Sequence, residues 1–211
     1  MCEKKKRRKD MAEAKRERKK FITPVGRIAF ASLFVKARPM EGAVTEPMYE
    51  ATIVFDKNYL SKNSREKELL GAIRKEMEAC CVEKFKKSIH DSKARIDKFH
   101  DPFRDGAQKE HLEGFGEGTM FFKAKSKRRP GVIDTAKNIV EDPEAVYSGC
   151  YVRLNVTPFA YDKGGGKGIS IALNSVMFVR DGERLDGMSN AEEDFGELPA
   201  EQKTDDDDDY L

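Results

Sequence analysis

The chain has 211 residues, 38% of them hydrophobic and 37% charged, with a formal net charge of only +2. Apolar residues this scarce support one modest core rather than two, and no apolar run approaches the ~20 residues needed to cross a bilayer. The charged N-terminus has no apolar stretch behind it, so it reads as a cytoplasmic chain rather than a secreted or membrane-bound one.

The near-neutral total conceals a polarised molecule. Residues 1–20 carry eleven Lys/Arg against four Asp/Glu, and residues 181–211 carry thirteen Asp/Glu against two Lys/Arg. The body between them is itself about +6. This divides the chain into a basic arm (1–22), a folded domain (23–188) and an acidic tail (189–211). The arm (Lys4 to Lys9, then Lys15 to Lys20) lacks apolar periodicity, and its charge density suits contact with a polyanion.

From Gly26 the pattern changes to short strands. Arg27 to Val35 is apolar and aromatic, and Pro39 and Gly42 interrupt it. Tyr49 to Phe55 alternates, with Ala51, Ile53 and Phe55 sharing a face with Tyr49. Asn63 followed by Glu66 resembles a capping box. It opens a long amphipathic helix whose apolar stripe runs through Leu69, Leu70, Ile73, Met77, Cys80, Cys81, Phe85 and Ile89. A polar, glycine-spotted stretch (101–118) leads to further strands at Thr119 to Lys125, Gly131 to Asp134, Ser148 to Asp162 and Gly168 to Arg180. The glycine-rich segment 162–168 joins the last two as a hairpin loop. The acidic tail ends Asp205, Asp206, Asp207, Asp208, Asp209, Tyr210, Leu211. A mainly β chain with one long helix fits an OB-fold-like five-stranded β-barrel between disordered charged tails; the pattern also permits an α+β sandwich.

Two strands carry faces of unusual chemistry. On the strand ending at Asp162, Cys150, Val152, Leu154, Val156 and Pro158 make a small apolar face. The opposite face presents Tyr147, Tyr151, Arg153, Asn155, Thr157, Phe159 and Tyr161. On the strand at Thr119, Met120, Phe122 and Ala124 point one way while Phe121, Lys123 and Lys125 point the other, followed by Lys127, Arg128 and Arg129. Rings offer stacking platforms to unpaired bases, and Lys/Arg track phosphates. The alternative is that the rings simply pack beneath a loop or helix, since aromatic residues are strand formers.

Enzyme signatures are missing. Gly164 to Gly168 evokes a phosphate loop, but a Walker pattern would need Gly at position 161, where Tyr161 stands, and Ser or Thr in place of Gly168. Cys2, Cys80, Cys81 and Cys150 form no C-x-x-C pair, and His90, His100 and His111 match no zinc spacing, so no metal or cofactor is assigned.

Four segments, Gly26 to Phe34, Lys127 to Val132, Tyr147 to Arg153 and Arg180 to Leu185, resemble those of a bacteriophage single-stranded DNA-binding family, long catalogued as a phage domain of unknown function. The resemblance covers residues 26–185. It implies an OB-fold that coats single-stranded DNA during phage replication and recombination, and points to Lys127 to Arg129 and Tyr147 to Arg153. An acidic C-terminus ending in an aromatic or apolar residue is typical of such binders and implies replication or recombination proteins as partners of Asp205 to Leu211. The basic arm matches nothing in the family pattern. A strand-annealing or recombination mediator, and a protein-interaction scaffold, are the competing readings; homo-oligomerisation stays open.

Overall fold

The computed structural model describes residues 18–38, 46–163 and 166–185. Among these residues eight strands run in chain order: β1 (Phe21–Ile22), β2 (Gly26–Ala37), β3 (Met48–Asp56), β4 (Arg104–Asp105), β5 (Thr119–Ser126), β6 (Gly131–Ile133), β7 (Tyr151–Lys163) and β8 (Gly166–Arg180). Helices α1 (Lys57–Lys62), α2 (Ser64–Phe85) and α3 (Ile89–Arg95) follow β3, and a single 3-10 turn covers Gly106–Lys109. The expected arm up to residue 17 and the tail from 186 lie outside the described residues. Phe21 and Ile22, at the end of the expected arm, pair with Val156 and Asn155 of β7.

Five strands pair in a circuit. β2 pairs with β3, β3 with β5, β5 with β8, β8 with β7, and β7 again with β2. Only the β5–β8 contact within that circuit is parallel. Its long members are the β7–β8 hairpin and the β3–β5 pair. Its seams are short: Gly26 and Arg27 meet Val152 and Tyr151, and Ala124 and Lys125 meet Ile171 and Ala172. β1, β4 and β6 are additions on β7, β5 and β8. β1 and β4 are two residues each, too short to leave a period in the sequence.

Alternation sets the core. Val152, Leu154 and Val156 of β7 are fully buried, as are Ile53 and Phe55 of β3 and Phe122 of β5. Each such side chain contributes about 1.5–3 kcal/mol on leaving water. Helix α2 adds Leu70, Ile73, Met77 and Cys81 to the same cluster. Pro158 pairs with Ile171 of β8, and its carbonyl accepts from Cys80 Sγ at 3.8 Å, so its missing N–H interrupts no ladder there.

Two details of the helix depart from the sequence reading. Asn63 is the N-cap residue but caps nothing; its Nδ2 donates to the Tyr59 carbonyl at 2.8 Å. Glu66, the other half of the expected capping box, is drawn away by Arg153 and the Val25 N–H. The helix also stops earlier than its stripe. Lys86 adopts the left-handed conformation (φ 58°) and returns its N–H to the Val82 carbonyl, so Ile89 begins α3 instead.

Candidate nucleic-acid interface

The registers of five strand pairs lay one row of residues across the outside of the sheet: Arg180, Tyr151, Arg27, Val54, Phe121 and Arg104. Beside it runs a second row of Ala29, Thr52 and Lys123. Side chains paired across strands share a face, so this surface mixes guanidinium groups, rings and a lysine.

β2 contributes its most exposed ring by a bulge. Ile28 pairs with Ile53 and Ala29 with Thr52, but the next registered pair is Ser32 with Glu50, so β2 carries one extra residue. Phe30 takes a left-handed φ of 50° inside that irregularity and is 47% exposed. Simple alternation with buried Ile28 would have pointed it inward. The bulge re-phases the strand, so that Leu33 rather than an even-numbered residue is next buried.

Three rings gather here. Phe115, from the 101–118 segment, lies 6.1 Å from Phe30 and meets Phe121 edge-on at 5.1 Å. The Lys109 ammonium sits over all three, at 5.2 Å from Phe30, 5.7 Å from Phe115 and 5.5 Å from Phe121. Burial, then the positive charges of Lys123 and Arg104, hold its pKa below the usual lysine value. A cation already poised on aromatic faces beside two others is suited to meet a polyanion that stacks. None of Phe30, Lys109 or Phe115 was among the sequence candidates.

A chain segment crosses the other end of this face. The Arg27 side chain donates to the carbonyls of Gly149 (3.3 Å) and Glu183 (2.5 Å). Tyr147 Oη lies 3.0 Å from Asp181 Oδ1 and 2.9 Å from the Gly182 carbonyl, and accepts from Gly182 N–H at 3.2 Å. Burial pushes the Tyr147 phenol up. The Arg184 guanidinium covers the Tyr147 ring at 4.5 Å, and that of Arg180 covers Tyr151 at 3.4 Å. Leu185 N–H donates to the Ser148 carbonyl, and its side chain packs on Ala29, Val54 and Phe121. The crossing requires glycine at 149, where φ is 119° and a Cβ would stand 2.0 Å from the Glu183 carbonyl oxygen.

The sequence candidates therefore separate. Tyr147, Tyr151, Phe121, Lys123 and Lys125 belong to this face, but Phe121 is 4% exposed, covered by Phe115 and Leu185. It packs beneath a loop and is not an open platform, which corrects the expectation for that ring. Lys123 and Lys125 both reach Glu50, at 2.7 and 3.7 Å, and Lys127 pairs with Glu46 at 2.6 Å. Arg128 is exposed, and Arg129 lies over Phe34 at 5.1 Å.

Arg153 turns away from the face. Its guanidinium is held by both Glu66 oxygens, at 2.5 and 3.1 Å, and by the Thr23 carbonyl. That makes it a structural tie, a second correction. Phe159 carries Arg18 over its ring at 5.4 Å, and Tyr161 lies 6.3 Å from His100 with its phenol pushed up by burial. They stand eight and ten residues along β7 from Tyr151, roughly 26 and 33 Å away. β7 keeps its alternation, since the register shifts at Tyr151/Val152 and Asn155/Val156 leave their extra residues in β8, so distance along the strand is what separates the expected single face into these patches. Asp205 to Leu211 lie outside the described residues.

A family model described as the single-stranded DNA-binding protein of Enterobacter phage Enc34 matches residues 19–211. A curated protein designated p50, from Acyrthosiphon pisum secondary endosymbiont phage 1, is 41% identical over 98 residues, 45% of this chain. The match spans only about half (51%) of that relative's length. The fold is similar to that of the bacteriophage Enc34 single-stranded DNA-binding protein in complex with single-stranded DNA, at a TM-score of 0.62 and 20% identity, covering 78% of this chain and 88% of that one. It is also similar to gp2.5, a single-stranded DNA-binding protein encoded by bacteriophage T7, at 0.55 and 18% over 82% and 98% of the two chains.

Proposed function

The chain belongs to the Enc34 family of phage single-stranded DNA-binding proteins, and we propose that it coats single-stranded DNA, without sequence specificity, during phage replication and recombination. The observation that carries this beyond family membership is Lys109 poised over Phe30, Phe115 and Phe121. Bases stack on the exposed side of Phe30 and its neighbours, while Lys109, Arg104, Lys123 and Arg128 meet phosphates. Every base has a π-face, so such a surface is indifferent to sequence. The five-stranded circuit, β2-β3-β5-β8-β7, is read as an OB-fold with short seams, and the rows above lie on its outer face.

The acidic tail is the internal competitor in this reading. Residues 181–185 are laid against Tyr147, Arg27 and the Phe121 cluster, which starts the tail beside the face. DNA displaces it, and Asp205 to Leu211 are then free to engage replication proteins. The whole is tested by titrating the protein with polythymidine and with duplex of equal length at two salt concentrations. Preference for the single strand with quenched tyrosine emission is expected. Equal affinity for both forms would reduce the protein to a phosphate binder and defeat the proposal.

A further inference from the structure

A groove of about 500 Å³ opens between α2, α3 and residues 101–105, beyond the edge of β5. Its floor is apolar, formed by Met77, Phe103 and Met120. Phe103 is held from behind by Phe122, edge-on at 5.1 Å. Over the same ring lies the Arg74 guanidinium, 5.0 Å from its centroid and 3.4 Å from Met120 Sδ. Arg74 is exposed, so the planar cation is anchored on one side and open on the other.

The acids of this groove are already engaged. Asp105 takes Lys57 at 2.7 Å, Asp101 takes Lys93, and Glu78 accepts the Ile89 N–H. Neither Arg74 nor Arg104 enters an ion pair among the described residues. Arg104 also belongs to the row that contains Phe121, and its charge is felt by Lys109. It therefore stands where the aromatic face ends and the groove begins.

We propose that this groove is a further nucleotide subsite on the same strand of DNA. A base stacks on the open side of Arg74, over the Arg74–Phe103 pair, and Arg104 holds the phosphate that links it to the nucleotides on the aromatic face. The inference rests on the DNA-binding reading above and extends the strand's path around the edge of β5. An aromatic platform would have been visible in the sequence; a guanidinium laid on a half-buried ring is not, because Arg74 and Phe103 are distant in the chain.

The test is affinity for oligothymidines of increasing length, with wild type, Arg74→Ala and Arg74→Lys. Oligonucleotides long enough only for the aromatic face bind all three alike. Longer ones gain affinity with wild type, and Arg74→Ala forfeits that gain by about tenfold. Arg74→Lys keeps the salt slope but not the gain, because a point charge offers no plane. An Arg74→Ala loss that is equal at every length, or absent at every length, overturns the subsite, as does full rescue by lysine. A photo-reactive thymidine analogue in the longer oligonucleotide, cross-linked to wild type, gives an answer independent of folding: label on the peptide bearing Phe103 and Arg104 supports the subsite, and its absence there overturns it. Wild type that binds no oligonucleotide removes the DNA-binding reading itself, a result distinct from a silent Arg74.

Discussion

Arg153 and Glu66, 87 residues apart, meet in a two-pronged ion pair with N–O distances of 2.5 and 3.1 Å. The same carboxylate accepts the Val25 N–H, and the same guanidinium donates to the Thr23 carbonyl. One pair thus fastens the segment between β1 and β2 to the start of α2 and to β7. Burial pushes the Glu66 pKa up, but the Arg153 hydrogen bond, the Val25 N–H and the Arg153 charge outweigh it, leaving the pKa below its usual 4.5.

That sign fixes a stability prediction. A carboxylate with a lowered folded pKa stabilises fully above its ordinary value and loses that contribution as pH falls through the folded value. Glu66→Ala strands a half-buried guanidinium, so a loss of about 3 kcal/mol is expected at neutral pH, shrinking under acid. Urea denaturation at several pH values measures it. A variant as stable as wild type at neutral pH would show the pair to be dispensable.

The rings divide into platform and packing. Phe30→Ala is expected to weaken single-strand binding by about 1–3 kcal/mol while leaving the salt slope unchanged. Phe121→Ala instead costs about 3 kcal/mol or more of stability, since it empties the cluster under Phe115 and Leu185. Arg128→Ala flattens the salt slope by about 0.7. Affinity across a salt series, beside a thermal melt of each variant, separates the three.

Lys109 predicts an alkaline limb. Its pKa is held below the usual 10.5 by burial and by Lys123 and Arg104, so it loses its charge at a lower pH than an ordinary lysine would. DNA affinity is expected to fall through that lowered value, and Lys109→Arg, which stays charged, to hold affinity further into alkali. Superimposable pH profiles for the two proteins would remove Lys109 from the binding surface.

Much of this was legible in sequence, for reasons specific to each residue. Val152, Leu154 and Val156 sit on the buried face their alternation assigns, because β7 keeps its period through the core. Phe30 was invisible as a platform because a bulge, which leaves no period, turns it outward. Arg153 was assigned to the binding face because its parity is right; its partner lies on a helix whose approach no strand pattern encodes. Lys109 and Phe115 sit in a stretch that reads only as polar loop.

Removing residues 190–211 is expected to tighten single-strand binding at low salt. The segment removed carries ten Asp/Glu against one Lys and faces a body near +6, at an effective concentration on the order of millimolar for a tethered ligand. The gain shrinks as salt screens the competition. Paired titrations of full-length and shortened protein decide it, and identical low-salt affinities would exclude the tail from the face.

The uneven lengths of the strand pairings carry a kinetic meaning. The β7–β8 hairpin zips between neighbouring segments, whereas Arg27 must find Tyr151 across most of the domain. Closing so long a loop for two registered pairs is rewarded last on the way to the native state and surrendered first on the way out. Amide exchange should therefore be fastest, among the circuit strands, where β2 meets β7, and slowest in the middle of the hairpin. Arg27 spans that seam and also grips Glu183, so local opening there would release the 181–185 crossing without unfolding the rest.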